Sequence, residues 1–147
     1  VEVRRFGRDR LEVSSLLMAR RIVEREDGPP GRGRFLVLPN PLGQAPRSGN
    51  TSFYFEVYNL NQDPYGATHY RVTYQTRVVP ESDGPEELVE WATAISSEFR
   101  GTEEWEPFRL TLELDSQSTG RREFRVVVDD LQDLERAEET ALFRVMW

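Results

Sequence analysis

The chain of 147 residues is 37% hydrophobic and 31% charged, a balance that excludes a disordered polypeptide and a protein with membrane-spanning helices. Its net charge is −7 and its 19 basic residues are all arginine, so a nucleic-acid-binding protein, which needs a basic surface, is not expected. The absence of cysteine excludes disulfides, thiolate nucleophiles and sulfur-based zinc sites. The all-arginine basic set fits either a GC-rich genome or adaptation to high salt or heat.

The first third of the chain predicts short strands separated by loops. Residues 1–6 alternate weakly and form a candidate first strand. Residues 11–23 fit neither the two-residue period of a strand nor the period of a helix well. Their β-branched residues and serines favour a bulged strand over a helix. Residues 35–38 form a short strand, whereas 24–34 and 42–50 are rich in Gly and Pro and are predicted to be loops.

The most aromatic part of the chain predicts two strands at the centre of a core, 52–60 and 70–79. A polar loop, interpreted as a hairpin connection, joins them. The residues expected to point inward are Phe53, Phe55, Val57, Tyr70, Val72 and Tyr74. In the first strand, Tyr54, Glu56 and Tyr58 point to the opposite face.

The second half of the chain predicts four further strands. The alternation over 88–99 favours a strand over a helix, with Trp91 and Phe99 on the same face. Residues 108–114 alternate most regularly. The other two strands are 124–128, with Phe124, Val126 and Val128 inward, and 142–147. The segment between them, 129–139, is predicted to be acidic and solvated. The pattern therefore predicts an all-β fold of about eight strands, an antiparallel sandwich or barrel.

Three pieces of the sequence together resemble the C-terminal β-sandwich region of bacterial GWxTD-domain proteins. They are FLVLPNP at 35–41, FYFEVYNL at 53–60 with YRVTY at 70–74, and 120–131 followed by 143–145. The GWxTD motif itself is absent from this chain. The resemblance implies an immunoglobulin-like antiparallel sandwich of about seven to nine strands, forming one domain over 1–147 of a longer exported protein. It also implies a periplasmic or extracellular location.

One loop has part of the spacing of a calcium site. Asn59, Asn61 and Asp63 alternate as the first ligands of such a loop do. Pro64 stands where the turn glycine is needed, and Tyr70 where the bidentate glutamate is needed. The hairpin interpretation is therefore favoured, and no metal is expected.

The sequence contains no convincing catalytic set. His69 is the single histidine, and no Gly-x-Ser-x-Gly nucleophile motif accompanies it, so a role at a strand edge or across strands is favoured. The carboxylates of Asp129, Asp130, Asp133 and Glu135 are as easily explained by a solvated turn as by acid–base chemistry. We therefore expect neither an enzyme nor a cofactor.

Three of the four candidate binding residues are aromatic, and the four lie on one strand and one turn. They are Tyr54, Glu56 and Tyr58, together with Trp105 in an acidic turn. The sequence thus predicts a non-catalytic interaction or structural module whose partner is another segment of the parent protein or an envelope protein. The alternative is a carbohydrate-binding module that uses exposed aromatic rings, with Trp105 as the best candidate. Neither nucleic acid nor direct insertion into a membrane is expected.

Overall fold

The computed structural model describes residues 10–25, 35–46, 49–80, 90–113 and 119–146, which form ten β-strands and no helix. The all-β prediction is confirmed. The strands are β1 (Glu12–Val13), β2 (Leu17–Glu24), β3 (Phe35–Pro39), β4 (Gln44–Pro46), β5 (Asn50–Tyr58), β6 (Thr68–Val78), β7 (Ala92–Gly101), β8 (Glu106–Glu113), β9 (Gly120–Asp130) and β10 (Arg136–Met146). The predicted strand at 1–6 and the terminal Trp147 lie outside the described residues.

Sheet 1 is built around β5. On one side β5 pairs with β8 along residues 50–57, and on the other it pairs with β2 and β1, which lie end to end. Ser14 bridges the break between these two strands, because its backbone N–H donates to Glu56 O at 2.8 Å and its hydroxyl accepts from Glu56 N at 2.8 Å. The expected bulged strand at 11–23 is thus two strands joined by this bridge. β3 completes the sheet by pairing with β2.

Sheet 2 has the order β4-β10-β9-β6-β7, with β4 parallel to β10 and the other pairs antiparallel. Two predictions are wrong here. The segment 42–50 is not all loop, because β4 adds to the edge of β10. The connection between β5 and β6 is not a hairpin, because these strands belong to different sheets. Their aromatic faces pack against each other instead of lying side by side, since each face needs burial.

The inner faces of the two sheets form one core. Phe53 of sheet 1 stacks on Phe124 of sheet 2 with ring centroids 4.5 Å apart. Phe143 of sheet 2 contacts the Phe53 ring edge-on, with the centroids 5.7 Å apart. The predicted inward residues are confirmed as buried: Phe53, Phe55, Val57, Tyr70, Val72, Tyr74, Phe124, Val126 and Val128. Each fully buried side chain of this size contributes about 1.5–3 kcal/mol to folding.

The opposite face of β5 is also covered over part of its length. The Phe35 ring meets the Tyr54 ring edge-on at 5.9 Å, and the Arg109 guanidinium lies 5.7 Å from the Phe35 centroid. Arg109 also pairs with Glu24 at 3.5 Å. In the β2–β3 ribbon, defined as these two strands of sheet 1, Phe35 therefore covers Tyr54 on the outer face of the sheet.

A register shift in the β6–β7 pair changes the face on which Trp91 lies. The alternation predicts Trp91 on the same face as Phe99, but its ring lies 4.2 Å from the Arg77 guanidinium and 4.3 Å from that of Arg125. Both arginines are on the outer face of sheet 2. The prediction that Trp91 shares a face with Phe99 is therefore wrong, because one additional residue in a strand moves the residues beyond it to the other face.

Candidate recognition surface

Three strand connections meet at one end of the sandwich. Leu60, which follows β5, donates its N–H to Glu104 O at 2.8 Å, which links the β5–β6 connection to the β7–β8 connection. Asn61 donates its N–H to Asp130 Oδ2 at 2.8 Å and so reaches the end of β9. The end is therefore an ordered surface in which the loops support one another.

A stacked aromatic pair lies on this end. The Tyr58 and Trp105 ring centroids are 6.1 Å apart with an interplanar angle of 25°, and both side chains are half-buried. The Tyr58 hydroxyl donates to Glu56 Oε2 at 2.6 Å. We call Tyr58 and Trp105 the aromatic platform.

Glu56 holds the orientation of the platform. Only 7% of the residue is exposed, although it carries a carboxylate. Burying a charge is costly unless hydrogen bonds compensate it, and a short hydroxyl-to-carboxylate bond is among the stronger ones. The Tyr58 ring is therefore fixed before any partner arrives.

The structure brings three of the four predicted binding residues together. Glu56, Tyr58 and Trp105 form one cluster, whereas Tyr54 is 5% exposed and packs beneath Phe35. The accessible ring surface in this set belongs to Tyr58 and Trp105. A binding role for the four residues stays a prediction.

A polar groove of about 480 Å³ adjoins the platform. It begins at Asn59 and Glu104, the chain neighbours of Tyr58 and Trp105. Its other lining residues are Leu60, Asn61, Gln62, Asp133 and Glu135. The sequence predicts Gln62 only as part of a loop, 61–68, that is a candidate contact with the parent protein, and it does not select Glu104, which is an ordinary loop residue until the two connections meet.

Asp130 corrects the prediction of a solvated segment over 129–139. It is 1% exposed, and its carboxylate accepts from Asn61 N at 2.8 Å and from Gln132 N at 2.9 Å. The prediction is wrong there because β9 extends through Asp130 and two loop amides need an acceptor at that point. Glu135 is similarly engaged, since its Oε2 accepts from Leu11 N at 2.9 Å.

The loop with calcium-like spacing uses its oxygens internally. Asp63 Oδ1 accepts from the backbone N–H groups of Tyr65 and Ala67 at 2.8 and 2.9 Å, which is an Asx-type turn. Asn61 also donates from its side chain to Asp133 at 3.0 Å. Within the described ranges no group of three or more His, Cys, Asp or Glu residues is placed to hold a metal ion.

His69 has the predicted cross-strand role. Its Nε2 lies 3.1 Å from Glu98 Oε2, and Arg71 donates to the other carboxylate oxygen at 2.9 Å. The hydrogen bond from Arg71, followed by that from His69, lowers the pKa of the exposed Glu98 carboxyl. The cluster is an ion-pair network on the outer face of sheet 2.

Comparison with known proteins adds two partial similarities. No family model matches the chain. It is 29% identical over 80 residues to small ribosomal subunit protein uS11c of Dioscorea elephantipes; the match covers 54% of this chain, which spans about half (52%) of that protein. It also matches the crystal structure of Spo0M, a sporulation control protein from Bacillus subtilis, with 13% identity and a TM-score of 0.38, over 90% of this chain and 49% of that one. Neither similarity shows a family.

The described part of the chain contains no helix of sufficient length and hydrophobicity to span a bilayer.

Proposed function

We propose that the chain is a non-catalytic recognition module with an immunoglobulin-like fold. The order of its strands supports this assignment. β2, β5 and β8 are neighbours in sheet 1, as strands A, B and E are in that fold, and β6, β9 and β10 are neighbours in sheet 2, as C, F and G are. Phe53 and Phe124 make their contact between the two strands that a disulfide joins in antibody domains.

The observation that carries the recognition function is the aromatic platform. Tyr58 ends β5 and Trp105 lies in the β7–β8 connection; both keep exposed surface, and the buried carboxylate of Glu56 holds Tyr58, on which Trp105 stacks. Flat aromatic rings supply contact area with little loss of side-chain entropy, and a fixed orientation lowers the cost of binding further. In this proposal the loops at one end of the sandwich present the platform to a partner, as in other immunoglobulin-like domains.

The proposed partner is another segment of the parent protein or an envelope protein. We base this on the resemblance at 35–41 and 53–60 to GWxTD-domain proteins, which implies an exported module in the periplasm or outside the cell. Such a module acts by holding polypeptides together, so no catalytic residue is assigned.

Carbohydrate binding is the second candidate, and the groove beside Trp105 favours it. Sugar rings stack on flat aromatic faces while their hydroxyls bond to planar polar side chains. The groove is lined by such groups, those of Asn59, Asn61 and Gln62, and also by Glu104, the chain neighbour of Trp105. This arrangement suits an uncharged glycan better than an acidic one, because Glu104 and Asp133 also line it.

The test compares a platform variant with a matched exposed tyrosine. The variant carries Tyr58→Ser and Trp105→Ala, and the control carries Tyr65→Ser, which removes a 95% exposed ring from the β5–β6 connection. Peptides selected from a phage-displayed random library against the native chain should bind the platform variant at least roughly tenfold more weakly, and the control unchanged. Tyr54 is left intact because its burial makes it a stability residue.

The outcomes separate the two candidates. Peptides that bind the platform variant as tightly as the native chain would overturn recognition at the platform. Retardation of the native chain, but not of the variant, in polysaccharide affinity gels would replace the polypeptide partner by a glycan. If neither peptides nor polysaccharides bind the native chain, the proposal is wrong.

A further inference from the structure

Strand β10 has an edge that is only partly paired. Along one side it pairs with β9, from Arg136 to Val145. On the other side β4 pairs with it only at Arg144, Val145 and Met146. No other described strand pairs with this second side over residues 136–141, which we call the β10 edge.

A groove of about 540 Å³ lies along the β10 edge. Residues 135–138 form one wall, and residues 10–13, which include β1, form the other. The groove therefore lies between the boundary of sheet 1 and that of sheet 2. One end is tied together by the hydrogen bond from Leu11 N to Glu135 Oε2.

The floor of this groove is apolar, although five of its eight lining residues are charged. Leu11 and Val13 are buried, with 6% and 3% exposed, and both belong to the core cluster. Ala137 of β10 packs against the same cluster. Its small side chain leaves the space between the two walls open to another small side chain.

The rim of the groove carries more negative than positive charge. Three carboxylates, those of Glu12, Glu135 and Glu138, line it against Arg10 and Arg136, and Arg136 is already paired with Asp129 at 2.6 Å. Glu138 is exposed on the outer face of sheet 2, whereas Glu12 pairs with Tyr58 and lies on the outer face of sheet 1. A basic side chain beside β10 on the outer face of sheet 2 would therefore meet the Glu138 carboxylate, whereas an acidic one would be repelled.

We propose that this groove binds an extended segment of a partner polypeptide, alternating small apolar and basic residues, as an added strand on the β10 edge. Exposed strand edges present backbone N–H and C=O groups in the spacing that another strand needs. β4 shows that this side of β10 accepts a strand, because it already pairs there at the far end. The small residues of the segment enter between the sheets, and the basic residues face Glu138 on the outer face of sheet 2.

This site stands independently of the aromatic platform. One side of β1 faces the groove, and its other side pairs with β5, the strand that carries Tyr58. β1 therefore separates the platform from the groove. A negative result at one site leaves the other unaffected.

The test uses a synthetic peptide of alternating valine and lysine, long enough to span the β10 edge and blocked at both ends. Hydrogen exchange of the amides over 136–141 should slow at least roughly tenfold when the peptide saturates the native chain. Two further peptides provide controls. One has glutamate in place of lysine, and the other is methylated on alternate backbone nitrogens, so that it keeps the charge but cannot pair.

Two variants connect the effect to the groove. Ala137→Trp fills the groove and should abolish protection, whereas Ala92→Trp makes the same change at an exposed position of β7 and should leave it intact. Glu138→Arg alters only an exposed rim charge. This variant should bind the lysine peptide more weakly and the glutamate peptide more tightly than the native chain does. The test therefore stays decisive even if Ala137→Trp does not fold.

Three results would overturn the proposal. The first is no protection of the β10 edge by the lysine peptide. The second is equal affinity for the N-methylated peptide, which would show adsorption by charge without strand pairing. The third is protection that depends on protein concentration without any peptide, which would make a second copy of this chain the occupant.

Discussion

Two buried carboxylates, those of Glu56 and Asp130, order the recognition end of the molecule in different ways. Glu56 accepts from a side chain, the Tyr58 hydroxyl, and so orients a ring. Asp130 accepts from two backbone amides, those of Asn61 and Gln132, and so holds two connections together. Their charges are tolerated because each has hydrogen-bond donors within 3 Å.

Replacing Asp130 by Asn should destabilise the chain by about 2–4 kcal/mol, because a single amide oxygen cannot serve both backbone donors and the charge-assisted bonds are lost. Urea unfolding followed by circular dichroism measures the change. Glu138→Gln is the control and should lie within about 0.5 kcal/mol of the native chain, since Glu138 is exposed. An Asp130→Asn chain as stable as this control would show that Asp130 does not hold the connections at the recognition end together.

At the scale of elements, the β2–β3 ribbon decides which residues of β5 a partner can reach. The Phe35 ring covers Tyr54, and the pair formed by Arg109 and Glu24 lies beside it. β5 is therefore buried on both faces over its middle, and its outward aromatic residues divide into a covered Tyr54 and an accessible Tyr58.

Phe35→Ala should loosen the ribbon without disturbing sheet 2. We expect a loss of about 1–2 kcal/mol, from one aromatic pair and part of a ring's burial. Hydrogen exchange in β3 should become faster, while that in β6 and β9 should change no more than global stability requires. Leu38→Ala, on the same strand but 47% exposed, is the control. Unchanged exchange in β3 would show that the ribbon is held by other contacts.

For the whole molecule, the aromatic core links stability to alkaline pH. Burial raises the pKa of Tyr74 to about 12, and burial together with the nearby Glu106 charge raises the pKa of Tyr70. An unfolded tyrosine titrates near pKa ~10. Between these values the unfolded chain loses protons that the folded chain keeps, so rising pH favours unfolding.

With respect to these groups, the free energy of unfolding should be constant below pH ~10 and fall as the pH rises through about 12. Tyr74 alone accounts for a loss of roughly 3 kcal/mol at most. Urea unfolding at a series of alkaline pH values measures this. Tyr74→Phe should reduce the slope, because the variant has no phenol to titrate at that position. An identical slope in the variant would contradict the assignment.

Much of the core followed directly from the periodicity of the chain. The alternation of Phe53, Phe55 and Val57, and of Phe124, Val126 and Val128, predicted the buried faces because the pleat of a strand separates adjacent side chains in any sheet. The same rule failed at Trp91, where a bulge changes the face without a marker in the sequence.

The partition into sheets and the candidate site required contacts between distant parts of the chain. Alternating strands alone do not reveal that β5 and β6 belong to different sheets, because both a hairpin and a crossing connection bury the same aromatic faces. Nor does the local pattern show that Asp130 is buried or that Tyr58 stacks on Trp105, since each contact joins segments more than 40 residues apart.

The amino-acid sequence determined the all-β class and most of the inward residues, because hydrophobic alternation is a local property of each strand. The tertiary structure decided which outward residues remain accessible, because access depends on what other elements cover. Tyr54 and Tyr58 have the same local pattern, yet Phe35 covers one and Trp105 stacks on the other.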